Sequence, residues 1–177
     1  MNDVRPGLDP VHLYGYLNKA REKLLGWVRP LTVEQYTQEF PFGLKTLRDT
    51  LVEIPQAEWA YVRRLQGEPV PAWQERPFAR FYRTEFAPFE AALRVQAEET
   101  AKALGEISDW ARPVEYPVVY EGKPLRIRTT TGGIAAQLLF HEIHHRAQAM
   151  AMLRQLGASA QDLDYAFLMY AWTRAPA

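Results

Sequence analysis

Three of the chain's four histidines stand within five residues, in the segment HEIHHRAQAM at positions 141–150. Successive residues of an α-helix advance by about 100°, so His141 and His145 differ by roughly 40° and project from one face. Ile134, Leu138, Ala149 and Met152 lie on or beside that face. The two imidazoles therefore point inward with an apolar stripe, and each can give one ring nitrogen to a divalent metal. Core histidines satisfied by hydrogen bonds would leave the same pattern. His144 lies about 60° to the other side of His141, and Glu142 lies about 100° away, nearer the edge of the stripe. Two protein ligands hold a metal weakly, so a third is expected from another helix.

The same letters spell H-E-x-x-H, the signature of zinc peptidases, in which the glutamate is the base and a further ligand lies downstream. After His145 the chain has no histidine, and its only carboxylates there are Asp162 and Asp164. A substrate-binding sheet has only one candidate hairpin to draw on. A five-residue pattern with two free positions also arises readily by chance, and the peptidase reading is disfavoured. Outside the motif, His12 falls at the start of the first helix and reads as a surface residue. Glu53 neighbours Leu51 and Ile54 where Pro55 disturbs the second helix, which makes it a candidate carboxylate ligand or a solvated side chain.

Several helices must position these groups. Asp9-Pro10 reads as N-cap and first residue of a helix that carries Leu13, Tyr16, Leu17, Ala20, Leu24 and Trp27 and stops at Pro30. The stretch 32–43 reads as a connection with one short turn. A second helix is expected over 44–65, ending at Gly67, with a kink or bulge between Leu51 and Pro55. A proline-rich link spans 69–77. A third helix is expected over 78–104 with Gly105 as its stop, kinked or broken at Pro88. VEYPVVYEGKPLRIRTT, with Glu121-Gly122 at its middle, reads as a β-hairpin or a long extended excursion. Thr131 is expected to cap a fourth helix over 132–156, and a short last helix is expected over 161–172. The fold class is all-α: a four-helix bundle in one domain, with a hairpin before the last long helix.

Composition narrows the function. The 177 residues suit one domain, and 47% hydrophobic content can fill a core. Lys plus Arg number 21 and Asp plus Glu also 21, so no global positive field favours nucleic acid. With no cysteine there is no disulfide, no thiolate ligand and no thiol nucleophile of the protein's own. The opening MNDVRPGLDP lacks the basic segment and apolar run of a signal peptide, and no stretch approaches the ~18 apolar residues of a membrane span. A cytoplasmic protein is the expectation.

HEIHHRAQAMAMLRQLG resembles the last core helix of the DinB/YfiT-like metal-dependent four-helix bundles, whose pattern is H-x-x-x-H-R-x-Q before an apolar run and Leu-Gly. His141, His145, Arg146 and Gln148 match it one for one. ASAQDLDYAFLMY is similar to the family's short C-terminal helix. TLRDTLVEIPQAEWAYVRRLQG resembles its second helix, approximately L-x-H-x-x-x-A-E-x-x-W. Aligning Ala57-Glu58 with that Ala-Glu pair puts Glu53 where the family carries its first histidine.

The resemblance implies a divalent metal (Zn, Ni, Mn or Fe) held by Glu53, His141 and His145, with a carboxylate where three histidines are usual. It implies a thiol-dependent transferase or a hydrolase, in which the metal activates a bound low-molecular-weight thiol or water. In this reading Glu142 or His144 would relay a proton or support the ligands from behind, and Arg146 would bind a cosubstrate carboxylate or pair with a neighbouring helix. Gln148 would brace the bundle. The expected partners are a small-molecule substrate and a second copy in a homodimer, with neither nucleic acid nor membrane. The alternative is a non-catalytic, stress-related bundle whose metal site is vestigial or structural.

Overall fold

The computed structural model describes residues 9–173. Helix α1 (Pro10–Val28) starts as its sequence dictates: the Asp9 carboxylate accepts from the Val11 amide, and Pro10 fills the first turn where no amide donor is needed. A five-residue helix α2 (Val33–Thr37) comes next, closed by a capping box between Thr32 and Gln35. Helix α3 (Leu47–Leu65) begins three residues later than the apolar spacing suggests, because Thr46 caps it by accepting from the Asp49 amide. It runs unbroken through Pro55, which leaves the Leu51 carbonyl without its helical donor.

The third long helix differs from expectation at its start. Two 3₁₀ turns (Trp73–Glu75 and Ala79–Arg83) occupy the link and the first part of the expected helix, and α4 runs only over Phe86–Gly105. Pro88 thus falls in the first turn of α4, where its missing N–H costs nothing, so it starts the helix rather than kinking it. Strands β1 (Pro113–Tyr120) and β2 (Lys123–Thr130) pair antiparallel as the hairpin. Both turn residues, Glu121 and Gly122, have positive φ (50° and 73°), the mirror-image turn that matches strand twist.

Helix α5 (Thr131–Gln155) is capped one residue earlier than expected: Thr130 Oγ1 accepts from the Gly133 amide, while Thr131 is buried and donates to the Asp109 carbonyl. A Cβ on Gly132 would stand 2.8 Å from the Trp110 carbonyl oxygen, so the chain can approach α5 here only because that residue is glycine. The last helix, α6 (Tyr165–Met169), is much shorter than the apolar spacing suggested.

Four long helices and one hairpin thus make a helical bundle. Helix α5 packs most extensively on α3 and next on α1, and α4 closes against both α3 and α1. The core between them holds Leu17, Leu24, Leu47, Val52, Phe89, Leu104, Met152 and Leu153 with almost no exposure. Among the described residues, no helix is long and apolar enough to cross a membrane.

Candidate functional site

Because α5 lies against α3 on one side and α1 on another, its two neighbouring faces are both interior. Its consecutive residues 141 and 142 therefore enter different polar clusters.

The first cluster lies between α5 and α3. His141 Nε2 stands 3.9 Å from Glu53 Oε1, and the rings of His141 and His145 meet edge to face with centroids 4.5 Å apart. Tyr82, from the second 3₁₀ turn, donates its hydroxyl to Glu53 Oε2 at 2.7 Å and leaves Oε1 toward the histidine. Burial, then the neighbouring His145 and His144, pushes His141 down to about 4. Burial also lowers His145, against the opposing pull of a hydrogen bond to Gln148 and of Glu53. Both imidazoles are consequently neutral at pH 7, with a lone pair to give.

Gln148 fixes the orientation of this group. Its side-chain oxygen is 3.0 Å from His145 Nδ1 and its nitrogen 3.0 Å from His144 Nε2. With the Gln148 oxygen accepting from Nδ1–H, Nε2 of His145 is the nitrogen that carries the lone pair. The backbone of Gly43 comes so close that a Cβ there would lie 3.2 Å from the same amide oxygen. His144 itself is exposed and stands beside the cluster, its ring 5.0 Å from that of His145. Tyr61 of α3 packs its ring edge to face on His141 at 5.9 Å.

Among the described residues, no three His, Cys, Asp or Glu side chains are already assembled as the ligands of one ion. The donor set nevertheless suits a divalent metal: two neutral imidazoles and one carboxylate, with the remaining nitrogen or oxygen of His145 and Glu53 held by Gln148 and Tyr82. Ligand bonds of 2.0–2.2 Å at tetrahedral angles put two donor atoms roughly 3.4 Å apart. The 3.9 Å between His141 and Glu53 exceeds that by a few tenths of an ångström, a gap that side-chain torsions close.

The second cluster lies between α5, α1 and α3. Sequence reasoning set Glu142 near the edge of the stripe; it is instead buried, 2% exposed, and its carboxylate is held by Arg21 of α1 through Nε (3.3 Å) and Nη2. The same Arg21 Nη2 donates to Glu58 Oε2 at 2.6 Å, while Glu58 Oε1 accepts from Tyr14 (2.5 Å) and Thr100 (2.6 Å). Burial raises the Glu142 carboxyl, and Arg21 pulls it back down. Glu142 is thus committed to an ion pair on α1 and is not brought to the histidines.

Arg146 also turns toward α1, where it donates to the Tyr16 hydroxyl at 2.5 Å and stacks on that ring; among the described residues it has no carboxylate partner. His12 bonds the Tyr165 hydroxyl at 2.7 Å, in an exposed setting apart from both clusters.

Sequence reasoning missed Tyr61 and Tyr82, and did not foresee that Gln148 grips the two histidines. Tyr82 reaches Glu53 only through the fold of the 66–85 link, and no spacing announces it. The Arg21 cluster did leave a signal: Arg21 sits between Leu17 and Leu24 on the apolar spacing of α1, and Glu58 lies on the apolar face of α3.

A helical bundle whose second and last long helices face each other with a carboxylate and two neutral histidines defines the class of the protein. The model of the DinB family matches residues 1–175, and the chain belongs to the DinB family. No curated protein matches the sequence.

Proposed function

We propose that the protein is a metal-dependent enzyme whose divalent ion (Zn, Ni, Mn or Fe) is held by Glu53, His141 and His145. The observation that carries this reading is the convergence from two helices of two neutral imidazoles and one carboxylate, with His145 and Glu53 each held from behind by a hydrogen bond. Such an ion makes a thiol or a water molecule nucleophilic near neutral pH. A low-molecular-weight thiol cosubstrate fits a chain with no cysteine of its own, so the activity is thiol transfer or hydrolysis. Gln148 keeps one nitrogen of His145 free, and Tyr82 keeps one oxygen of Glu53 turned to His141. His144, exposed and in contact with Gln148, is the residue placed to move a proton at the mouth of the site. A homodimer belongs to the same reading: Phe140 and Ile143, 65% and 40% exposed on the outer face of α5, are the side chains such an interface would cover.

The wider spacing of the three donors supports a second reading, a non-catalytic bundle with a vestigial site. The peptidase reading lacks its base, since Glu142 is tied to Arg21.

Isothermal titration with Zn²⁺, Ni²⁺ and Mn²⁺ separates the readings. The wild type should bind one equivalent. His141→Ala and His145→Ala should abolish binding, Glu53→Gln should weaken it, Glu53→His should preserve or strengthen it, and His144→Ala should change it little. A wild type that binds none of the three ions, or metal loss in His144→Ala alone, overturns the proposal.

A further inference from the structure

A cavity of about 980 Å³ opens between β1, the start of β2, the end of α3 and the proline-rich link. Its walls are apolar, with Val70, Pro71, Val114 and Val118 among them. Its charges are not balanced. Glu68 lines it but is paired with Arg63, and Glu115 lines it but is held by Arg126 (2.5 Å) and Arg128 (2.8 Å). The two arginines that line it, Arg64 and Arg76, form no ion pair with a carboxylate among the described residues. The Arg64 guanidinium carbon stands over the Tyr116 ring, 4.3 Å from its centroid, a contact with the ring face that uses none of its N–H donors. Arg76 makes one long bond, 3.4 Å, to the Pro71 carbonyl. Burial lowers the Arg76 pKa and the charge of Arg64 lowers it further, while Glu53, which forms no ion pair with Arg76, pulls it partly back up. Two half-buried guanidiniums that line one cavity and hold no ion pair among the described residues offer an anion charge-assisted hydrogen bonds there.

The cavity also adjoins the histidine cluster. Tyr61 packs on His141 on one side and under Arg64 on the other, at 5.7 Å. Tyr82 bonds Glu53 and stacks on Trp73, which lines the cavity, at 4.8 Å. A molecule in the cavity is therefore separated from Glu53 by two aromatic rings, Trp73 and Tyr82, and from His141 by Arg64 and Tyr61.

We infer that this cavity binds an organic acid with an apolar body, whose carboxylate is clamped by Arg64 and Arg76. This names the substrate class for the site proposed above and rests on that reading for its link to catalysis; the anion clamp itself needs no metal.

The probe is 1-naphthaleneacetate, with 1-naphthaleneacetamide as its neutral counterpart, titrated by calorimetry into full-length protein stripped of metal by a chelator. The acid should bind and the amide should bind at least tenfold more weakly. Arg64→Gln and Arg76→Gln should each weaken the acid about tenfold and leave the amide unchanged. His141→Ala, which the metal reading requires to lose its ion, should bind the acid as the wild type does. Arg64 also supports the hairpin through Tyr116, so Arg76→Gln, which leaves that stack intact, is the deciding variant, with its helical circular dichroism compared with wild type. Equal binding of acid and amide, or full affinity for the acid in Arg76→Gln, overturns the inference whatever the metal titration gives.

Discussion

Replacing Arg21 by methionine should unfold this protein more readily than any exposed substitution, and should do so in a pH-dependent way. Arg21 is 4% exposed and supplies the only hydrogen bonds that Glu142 receives among the described residues. Glu58 would keep Tyr14 and Thr100 as donors; Glu142 would keep none. Removing one partner of a buried ion pair costs about 3–5 kcal/mol, because the other charge is left in a poor solvent. For a domain of this length that is roughly 6–20 °C in Tm, at ~2–4 °C per kcal/mol.

Burial already pushes the Glu142 carboxyl up, and in Arg21→Met the main opposing interaction is gone, so its folded-state pKa lies above its unfolded value. Its stability contribution is then whole below the unfolded pKa and is lost as pH rises through the folded one. The deficit of the variant against wild type should be large at pH 7 to 8 and shrink as pH falls toward the ordinary carboxyl value of 4.5. Urea denaturation of both proteins from pH 5 to pH 8, monitored by circular dichroism, measures this. Adding Glu142→Met to Arg21→Met should recover much of the loss at pH 7. A deficit below about 1 kcal/mol, or one that does not vary with pH, would refute the reasoning, since either means that Glu142 is solvated or has another donor.

Three further outcomes are expected. Tyr82→Phe should weaken Zn²⁺ binding about tenfold or more in calorimetry, because the partner that orients Glu53 is removed, with little change in fold. Metal-free protein should lose stability as pH falls from 6.5 toward about 4, since the folded state resists protonating His141 and binds fewer protons than the unfolded one. After allowance for solvent screening the loss is ~1–2 kcal/mol, and His141→Gln should flatten that part of the pH–stability curve. Light scattering should give twice the 20.4 kDa chain mass, and Phe140→Glu should return it to the single-chain value.

The long helices and the hairpin were legible because each depends on local signals: the cap at Asp9, Glu121-Gly122 at the middle of a strand-rich stretch, apolar spacing along α1 and α3; the cap at Thr46, which sets the true start of α3, was not read. The start of α4 was misplaced because helical spacing continues through 78–85, and only the position of Pro88 within a first turn reveals the true start. At the candidate site, the shared face of His141 and His145 comes from helix geometry alone. The place of Glu142 did not, because one apolar stripe describes a helix with one buried side, and α5 has two. Tyr82, Arg64 and Arg76 come together through the path of the 66–85 link and the hairpin, which no periodicity encodes.

That two-sided helix has a consequence for how the protein can change. Helices α3 and α5 each contribute to both polar clusters: Glu53 with His141 and His145 to one, Glu58 with Glu142 to the other. The two sets interleave along the chain yet share no hydrogen bond. Substitutions at 53, 141, 144 and 145 can therefore alter the histidine cluster while the Arg21 cluster goes on holding the helices in register. A saturation library should show this as two kinds of intolerance. Positions 21, 58 and 142 should fail by loss of folded protein, and positions 53, 141 and 145 by loss of ligand binding at full yield. Inserting one residue early in α5 rotates the remainder of the helix by about 100° and would disrupt both clusters at once, so length along this helix is more constrained than identity.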